Sequence, residues 1–201
     1  MVDPKKIDLS MATIAIITVP PQQSGINQQE LEKILTPPFT IGQSLEGVLV
    51  SSQKDQIQVI TGGIKTNVQD LSGRKGFSRN KIPSVLHFFV DRLKLKVTTY
   101  GVNFIINVPC MEPVKWIGDN IISSQVSKKT KKTLIGGTAT VQIAAGQKTW
   151  NIKFESRGDK GINVDFNATE NAQQLPNQKR LCEELQEQFQ ALLELLNALE
   201  L

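Results

Sequence analysis

The sequence has few of the residue types that bind metals or carry out catalysis. Its 201 residues include two cysteines, Cys110 and Cys182, and a single histidine, His87. The cysteines are far apart and form no CxxC pair, so no zinc site is expected. Isolated thiols are typical of a reducing compartment. We therefore expect a cytoplasmic protein without a metal or another cofactor.

Long apolar runs and catalytic motifs are also missing. No apolar run approaches the length of a transmembrane helix, and the residues before position 11 are a poor start for a signal peptide. There is no GxSxG, HExxH, phosphate-loop or dinucleotide-binding pattern. His87 lies in an amphipathic stretch beside two phenylalanines, which favours a core-edge or surface histidine over a general base. These absences predict a protein that is not an enzyme and does not bind a membrane.

Aromatic residues make up 5% of the chain, so the core is expected to consist mainly of isoleucine, valine and leucine. Charged residues make up 21%, with 23 basic and 19 acidic side chains. The resulting net charge of +4 does not by itself indicate a nucleic-acid partner. The distribution of the basic residues along the chain is more informative.

Residues 82–108 have the clearest pattern of secondary structure. Apolar residues recur at helical spacing after Pro83, which suits the start of a helix. From residue 95 the pattern changes to alternation, and a run of β-branched and aromatic residues continues to Val108. Such a run is typical of a central strand covered on both faces. Gly101 interrupts it, which indicates a bulge or a close approach of another backbone.

The rest of the pattern divides the chain into two halves at the prolines of residues 109–113. Residues 1–10 are predicted to be a flexible extension, residues 11–108 an α+β half, and residues 114–201 a sheet followed by a long helix. Strands are predicted at residues 12–19, 47–51, 56–61, 64–71, 95–108, 134–144, 149–155 and 162–168, and helices at 27–35, 82–93, 114–122 and 176–201. The predicted fold is α+β: two antiparallel sheets with covering helices and a long C-terminal helix, packed as one compact unit.

The C-terminal helix carries a stripe of apolar residues at alternating spacings of three and four, as in a coiled-coil seam. One interpretation is that this stripe covers the chain's own sheet. The other is that it binds a protein partner or a second copy of the chain. The candidate partner-binding residues are Leu185, Phe189, Leu192, Leu193, Leu196 and Leu199.

Two loops are rich in basic residues and are candidates for contact with nucleic-acid phosphates. The loop at residues 72–81 also contains Phe77, which could stack on a base. Solvated loops of the same composition are the alternative interpretation. The candidate residues are Arg74, Lys75, Arg79 and Lys81 in the first loop, and Lys128, Lys129, Lys131 and Lys132 in the second, at residues 128–132.

Two segments resemble a group of uncharacterised bacterial proteins that are patchily distributed among genomes. The sequence YGVNFIIN at residues 100–107 is similar to a strand signature of that group, although Asn103 stands where the group has arginine. The sequence INVDF at residues 162–166 is similar to the strand before its closing helix. The resemblance implies a similar order of strands and helices but no activity. The layout of a sheet with a long helix also looks like that of SecB-type export chaperones, which is an analogy of fold alone.

The sequence thus predicts a non-enzymatic binding or assembly protein that self-associates or docks a partner through its sheet edges and final helix. The alternative is a nucleic-acid-binding protein that uses its two basic loops.

Overall fold

The computed structural model describes residues 6–19, 28–45, 47–62, 64–73, 77, 80–122, 137–158 and 160–201. In this part of the chain nine strands and four helices are found. The strands are β1 (Asp8–Val19), β2 (Phe39–Ser44), β3 (Gly47–Ser52), β4 (Ile57–Gly62), β5 (Lys65–Asp70), β6 (Lys96–Pro109), β7 (Thr138–Ala145), β8 (Lys148–Ser156) and β9 (Gly161–Asn171). The helices are α1 (Gln28–Leu31), α2 (Lys81–Leu93), α3 (Pro113–Asn120) and α4 (Gln178–Ala198).

The nine strands form one antiparallel sheet in the order β2-β3-β4-β5-β1-β6-β9-β8-β7. The α+β class is therefore confirmed, but the prediction of two separate sheets is wrong. The 14-residue strand β6 joins the halves, because Val102 pairs with Ile14 of β1 on one side and with Ala168 of β9 on the other. The prolines at residues 109–113 mark the end of β6 and the start of α3, and they do not divide the sheet.

Helices cover one face of this sheet. Alternation along the strands directs apolar side chains to that face, where Phe104, Phe154 and Phe166 are completely or almost completely buried. Helix α2 packs on β1 and β5, α3 packs on β8, and α4 packs on β6 and α2. The rings of Phe104 in β6 and Phe189 in α4 have centroids 5.2 Å apart. Burial of each such ring stabilises the fold by about 3 kcal/mol.

The opposite face of the sheet carries no helix in the described part of the chain. Among the described residues, helices cover only the other face of β6, so cover on both faces of this strand stays a prediction. The register of β6 continues unbroken through Gly101, so this glycine is not a bulge. A Cβ atom at Gly101 would lie 2.9 Å from the carbonyl oxygen of Ala168, which confirms the close backbone approach.

Local signals define the helix ends. Asn177 caps α4, since its side chain accepts a hydrogen bond from the Arg180 backbone N–H at 2.9 Å. Helix α2 ends where Lys94 adopts a left-handed conformation with φ of 52°. Strand β2 lies in a segment that is not among the predicted strands. Residues 134–136 of the strand predicted at residues 134–144 lie outside the described residues, and β7 is described from Thr138.

Candidate binding surfaces

The apolar stripe of α4 is used mainly inside the chain. Leu185, Leu192 and Leu196 have no solvent exposure and belong to the core. Phe189, Leu193 and Leu199 are partly buried and pack against the same core. The interpretation that this helix covers its own sheet therefore accounts for the fully buried leucines. A role in partner binding stays a prediction, and the partly buried residues are the ones that could still contact a partner.

Between α4 and the sheet lies a buried cluster of charges. The Lys148 ammonium group contacts the Glu184 carboxylate at 3.0 Å and also bonds to the Glu170 carboxylate. The Lys148 side chain is 14% exposed and that of Glu184 is 2% exposed. Arg180 contacts the other oxygen of Glu184 at 3.1 Å. Tyr100 completes the cluster, with its hydroxyl donating to Glu170 at 3.0 Å.

The electrostatics of this cluster favour the charged forms of Lys148 and Glu170. Burial alone would lower the pKa of Lys148, but its hydrogen bonds to Glu170 and Glu184 raise the pKa well above the usual range. The hydrogen bond from Lys148 lowers the pKa of Glu170. A permanently charged lysine between two carboxylates is not prepared to transfer a proton near neutral pH. The cluster is thus best understood as an anchor that holds α4 on β6, β8 and β9.

The single histidine has a structural contact. His87 Nε2 lies 2.9 Å from the carbonyl oxygen of Pro176, which joins α2 to the segment before α4. Among the described residues, no group of three or more His, Cys, Asp or Glu side chains is arranged to hold a metal ion. No helix in the same residues is long and apolar enough to cross a membrane.

Most of the predicted nucleic-acid residues lie outside the described part of the chain. These are Arg74, Lys75, Arg79, Lys128, Lys129, Lys131 and Lys132. Lys81 is described, and its ammonium group contacts the Asp55 carboxylate at 3.4 Å. Burial would raise the pKa of Asp55, but hydrogen bonds from Thr36 and the charge of Lys81 lower it. Nucleic-acid binding stays a prediction, and Lys81 already has an anionic partner.

A row of neutral polar side chains crosses the uncovered face of the sheet. In an antiparallel sheet, directly paired residues point to the same face, so the pairings define a row across the strands. One row crosses all nine strands, and every member has an amide or hydroxyl side chain. From β2 to β7 it consists of Thr40, Ser51, Gln58, Gln69, Thr13, Asn103, Asn167, Asn151 and Gln142.

A groove of about 280 Å³ lies on this face over β1 and β6. Its floor includes Ala15 and Gly101, which pair with each other; the side chain of Ala15 is a single methyl group and Gly101 has none. Three buried oxygens of lining residues have no hydrogen-bond partner: Thr13 Oγ1, Asn67 Oδ1 and Asn103 Oδ1. Buried polar atoms without a partner are rare in folded proteins, so this concentration marks the groove as a candidate ligand site.

Asp165 lies beside this groove on the same face and is partly buried. Burial raises its pKa, which hydrogen bonding from Asn103 and the charge of Lys153 only partly oppose. A carboxyl whose pKa is raised in the folded state destabilises the fold as pH rises from its unfolded pKa through its folded pKa, because over this range the folded state binds more protons than the unfolded state.

We expect Asp165→Asn to raise the melting temperature at pH 7 and to lose this advantage near pH 3, measured by thermal unfolding at both values. A gain that is equal at both pH values would contradict the assignment.

Strand β7 is an unprotected edge of the sheet. Within the described residues it pairs only with β8, in a continuous register without a bulge. The eight residues of β7 include no charge and no proline, the two features that usually protect an edge. Unprotected edge strands of this kind readily add a further strand.

An apolar groove of about 250 Å³ lies next to this edge on the helix-covered side. It is lined mainly by aliphatic residues of β7, β8 and the C-terminal end of α4. They include Val141, Ile143, Ile152, Leu195 and Leu199. The edge and the groove form one surface that offers both backbone hydrogen bonds and apolar contact; we call it the β7 surface.

Comparison of the sequence with models of protein families and with curated proteins gives no match. The resemblances of residues 100–107 and 162–166 therefore stay predictions, and the function is inferred from the geometry of the described residues.

Sequence reasoning identified Leu199 but missed both the polar row and the β7 edge. A signal for the row was present, since polar residues occupy every alternate position of β9 from Asn163 to Asn171. For the edge, the absence of charge between Thr138 and Ala145 indicates a strand without indicating its place in the sheet.

Proposed function

We propose that this chain is a non-enzymatic assembly protein that pairs with a second copy of itself through the β7 surface. The observation that carries the proposal is the eight-residue edge without charge, proline or bulge, adjoining an apolar groove. A bare edge is normally avoided because it promotes pairing between chains, so its presence fits a strand that is covered in an assembly.

The direction of the backbone groups along β7 supports this pairing. The Ser156 N–H donates to the Gly137 carbonyl at 3.1 Å, so Gly137 belongs to a hydrogen-bonded pair with β8. Bonded and non-bonded pairs alternate along an antiparallel ladder. The odd-numbered residues of β7 therefore bond to β8, and the even-numbered residues direct their N–H and C=O groups outward. The outward-directed residues are Thr138, Thr140, Gln142 and Ala144.

The side chains of β7 are compatible with their own copies. A two-fold axis perpendicular to the sheet at Val141 would pair this residue with itself and Ala139 with Ile143 of the second copy. Such a strand pair forms about eight interchain hydrogen bonds in this length and brings no like charges together. The apolar grooves of both copies then lie on the same side of the joined sheet, where Leu199 of each copy can contact the other.

The opposite edge, β2, is a less suitable pairing strand. It has six residues and includes Gly42. Pairing of β2 with β7 of another copy would not close by symmetry and would produce open chains of molecules. Pairing of β7 with β7 closes as a dimer.

The substitution Thr140→Pro tests the proposal, because it removes an outward N–H and leaves the β7–β8 hydrogen bonds in place. We expect the dissociation constant of the dimer to rise about 100-fold, since the proline both lacks the donor and obstructs the second strand. Size-exclusion chromatography with light scattering over a concentration series measures this change.

Thr140→Val is the matched control, since it keeps the N–H and suits a strand. We expect it to remain dimeric. Circular dichroism of the Thr140→Pro variant verifies that the sheet is intact. A wild-type chain that stays monomeric at high micromolar concentration, or oligomers that grow beyond a dimer, would contradict the proposal.

A further inference from the structure

We propose that the groove over β1 and β6 on the uncovered face binds a neutral polyhydroxyl ligand, such as a sugar. This site lies on the face opposite the helices and does not depend on dimer formation. The following observations of charge, shape and hydrogen bonding lead to it.

The lining of the groove includes one charged residue, Lys65. In the registers described, Asp8, Lys96 and Asp165 lie on the same face but outside this lining. The chain as a whole is 21% charged. Phosphate and ammonium groups are usually bound by several charged side chains, so a lining with one charged residue favours a neutral ligand.

The shape of the groove follows from small residues in the middle of the sheet. Ala15 and Gly101 leave space above the two central strands, and Asn67 and Thr169 continue the same row on either side. Substitution at Gly101 is not tolerated, because a Cβ atom would also lie 2.9 Å from Thr169 Cγ2. Ala15 is therefore the position at which the groove can be filled without a backbone collision at Gly101.

The unpartnered oxygens define what the ligand must supply. Thr13 is 3% exposed and Asn67 is 6% exposed, and each has an oxygen without a hydrogen-bond partner. Leaving such atoms unpaired costs the free protein stability. Rotation about χ1 of Thr13 or χ2 of Asn67 would turn these oxygens into the groove. There they would accept hydrogen bonds from a ligand, which must therefore carry donors.

A polyhydroxyl compound matches this lining better than other neutral compounds. Each hydroxyl both donates and accepts a hydrogen bond, as do the threonine hydroxyls and asparagine amides that line the groove. The apolar faces of a sugar ring can contact Met11, Ala15 and Ile17, which lie between the polar residues. The groove is small and its lining includes a single aromatic residue, Tyr100, so we expect millimolar affinity.

A matched panel of ligands tests the chemical class. Glucose and maltotriose serve as neutral probes, and glucosamine and glucuronate keep the ring and add one charge of either sign. We expect the neutral probes to raise the melting temperature and to give saturable changes in the backbone amide resonances of Thr13, Asn67 and Asn103. The charged probes should bind more weakly. Equal or tighter binding of a charged probe, or no saturable change with either neutral probe, would overturn the proposal.

Two variants test the site. Ala15→Val fills the groove with a residue suited to strands and should abolish the glucose response. Thr13→Val replaces the unpartnered hydroxyl by a methyl group of similar size. We expect it to raise the melting temperature of the free protein by a few degrees and to weaken binding about tenfold.

Asn163→Ala is the control, since Asn163 lies on the same face of β9 outside the groove. It should bind the neutral probes as the wild type does. If Thr13→Val lowers the melting temperature and leaves binding unchanged, the hydroxyl has a partner already and the proposal fails. Light scattering of the same variants measures dimer formation, which tests the β7 surface separately from sugar binding. Thr13 lies on the central strand β1, four strands from that edge.

Discussion

Lys148→Met is expected to lower the free energy of unfolding by about 3 kcal/mol at neutral pH. The substitution keeps the length of the side chain but removes the cation between Glu170 and Glu184. Glu184 is 2% exposed and, among the described residues, would keep Arg180 as a charged partner, which it shares with Glu183 and Glu187. A buried anion that loses one of its two cations is destabilised much more than a surface group that loses an ion pair, so the effect should exceed that of most substitutions in this chain.

The pH dependence of this loss has a defined sign. The pKa of Glu170 is lowered in the folded state, so its contribution is present above the unfolded value of about 4.3 and is lost as pH falls through the folded value. The pKa of Lys148 is raised, so its contribution is present below the unfolded value of about 10.4 and is lost as pH rises through the folded value. The difference between wild type and variant should be largest between these limits.

Chemical denaturation across this pH range, with the linear extrapolation of the unfolding free energy, measures the effect. Lys148→Met combined with Glu184→Gln is the matched control. This double variant should be more stable than Lys148→Met alone, because the second change removes the buried charge of Glu184 that has lost its lysine partner. An additive loss in the double variant would show that the cluster does not act as a coupled unit.

Leu192→Ala should lower the free energy of unfolding by about 2–5 kcal/mol without changing the dimer affinity of the folded protein. Leu192 has no solvent exposure and lies in the core between α4 and the sheet. Removal of its side chain leaves a cavity that rigid neighbouring strands cannot close. The size of the loss reflects both the lost burial and the remaining cavity.

Leu199→Ala is the matched substitution at the end of the same helix. Leu199 is partly buried and lines the apolar groove of the β7 surface. Here we expect a stability loss below about 1 kcal/mol and a dimer dissociation constant about tenfold higher. Unfolding and light-scattering measurements on both variants separate the two roles. The proposal for α4 is wrong if Leu192→Ala weakens the dimer and Leu199→Ala does not.

The helices and strands could be predicted from local patterns in the sequence, whereas the pairing of the strands into one sheet could not. The spacing of Leu185, Leu192 and Leu196 predicted one buried face of α4, since helical periodicity is a local property. The alternation in residues 95–108 predicted β6 for the same reason. That β6 pairs with both β1 and β9 depends on residues more than 50 positions apart, and no local pattern encodes such pairings.

The polar row and the β7 edge could not be predicted from the sequence for a related reason. The polar row combines single residues from nine strands, and it becomes visible only once every register is known. Asn103 appeared in the sequence as an isolated polar residue within an apolar run. Its partners Thr13 and Asn167 reveal that it belongs to a continuous polar face. Likewise, an uncharged segment such as residues 138–145 predicts a strand but not its position at an edge.

The position of β1 has a consequence for the order of folding. Strands β2 to β5 form a meander of successive hairpins, which close short loops and can form early. Strand β1 precedes them in the chain, yet it lies between β5 and β6, and its pairing with β6 joins residues such as Ile14 and Val102. Closing so long a loop carries a larger entropy cost than closing a hairpin. We therefore expect insertion of β1 to be a late and rate-limiting step, which makes the sheet slow to complete and leaves β5 a temporary edge.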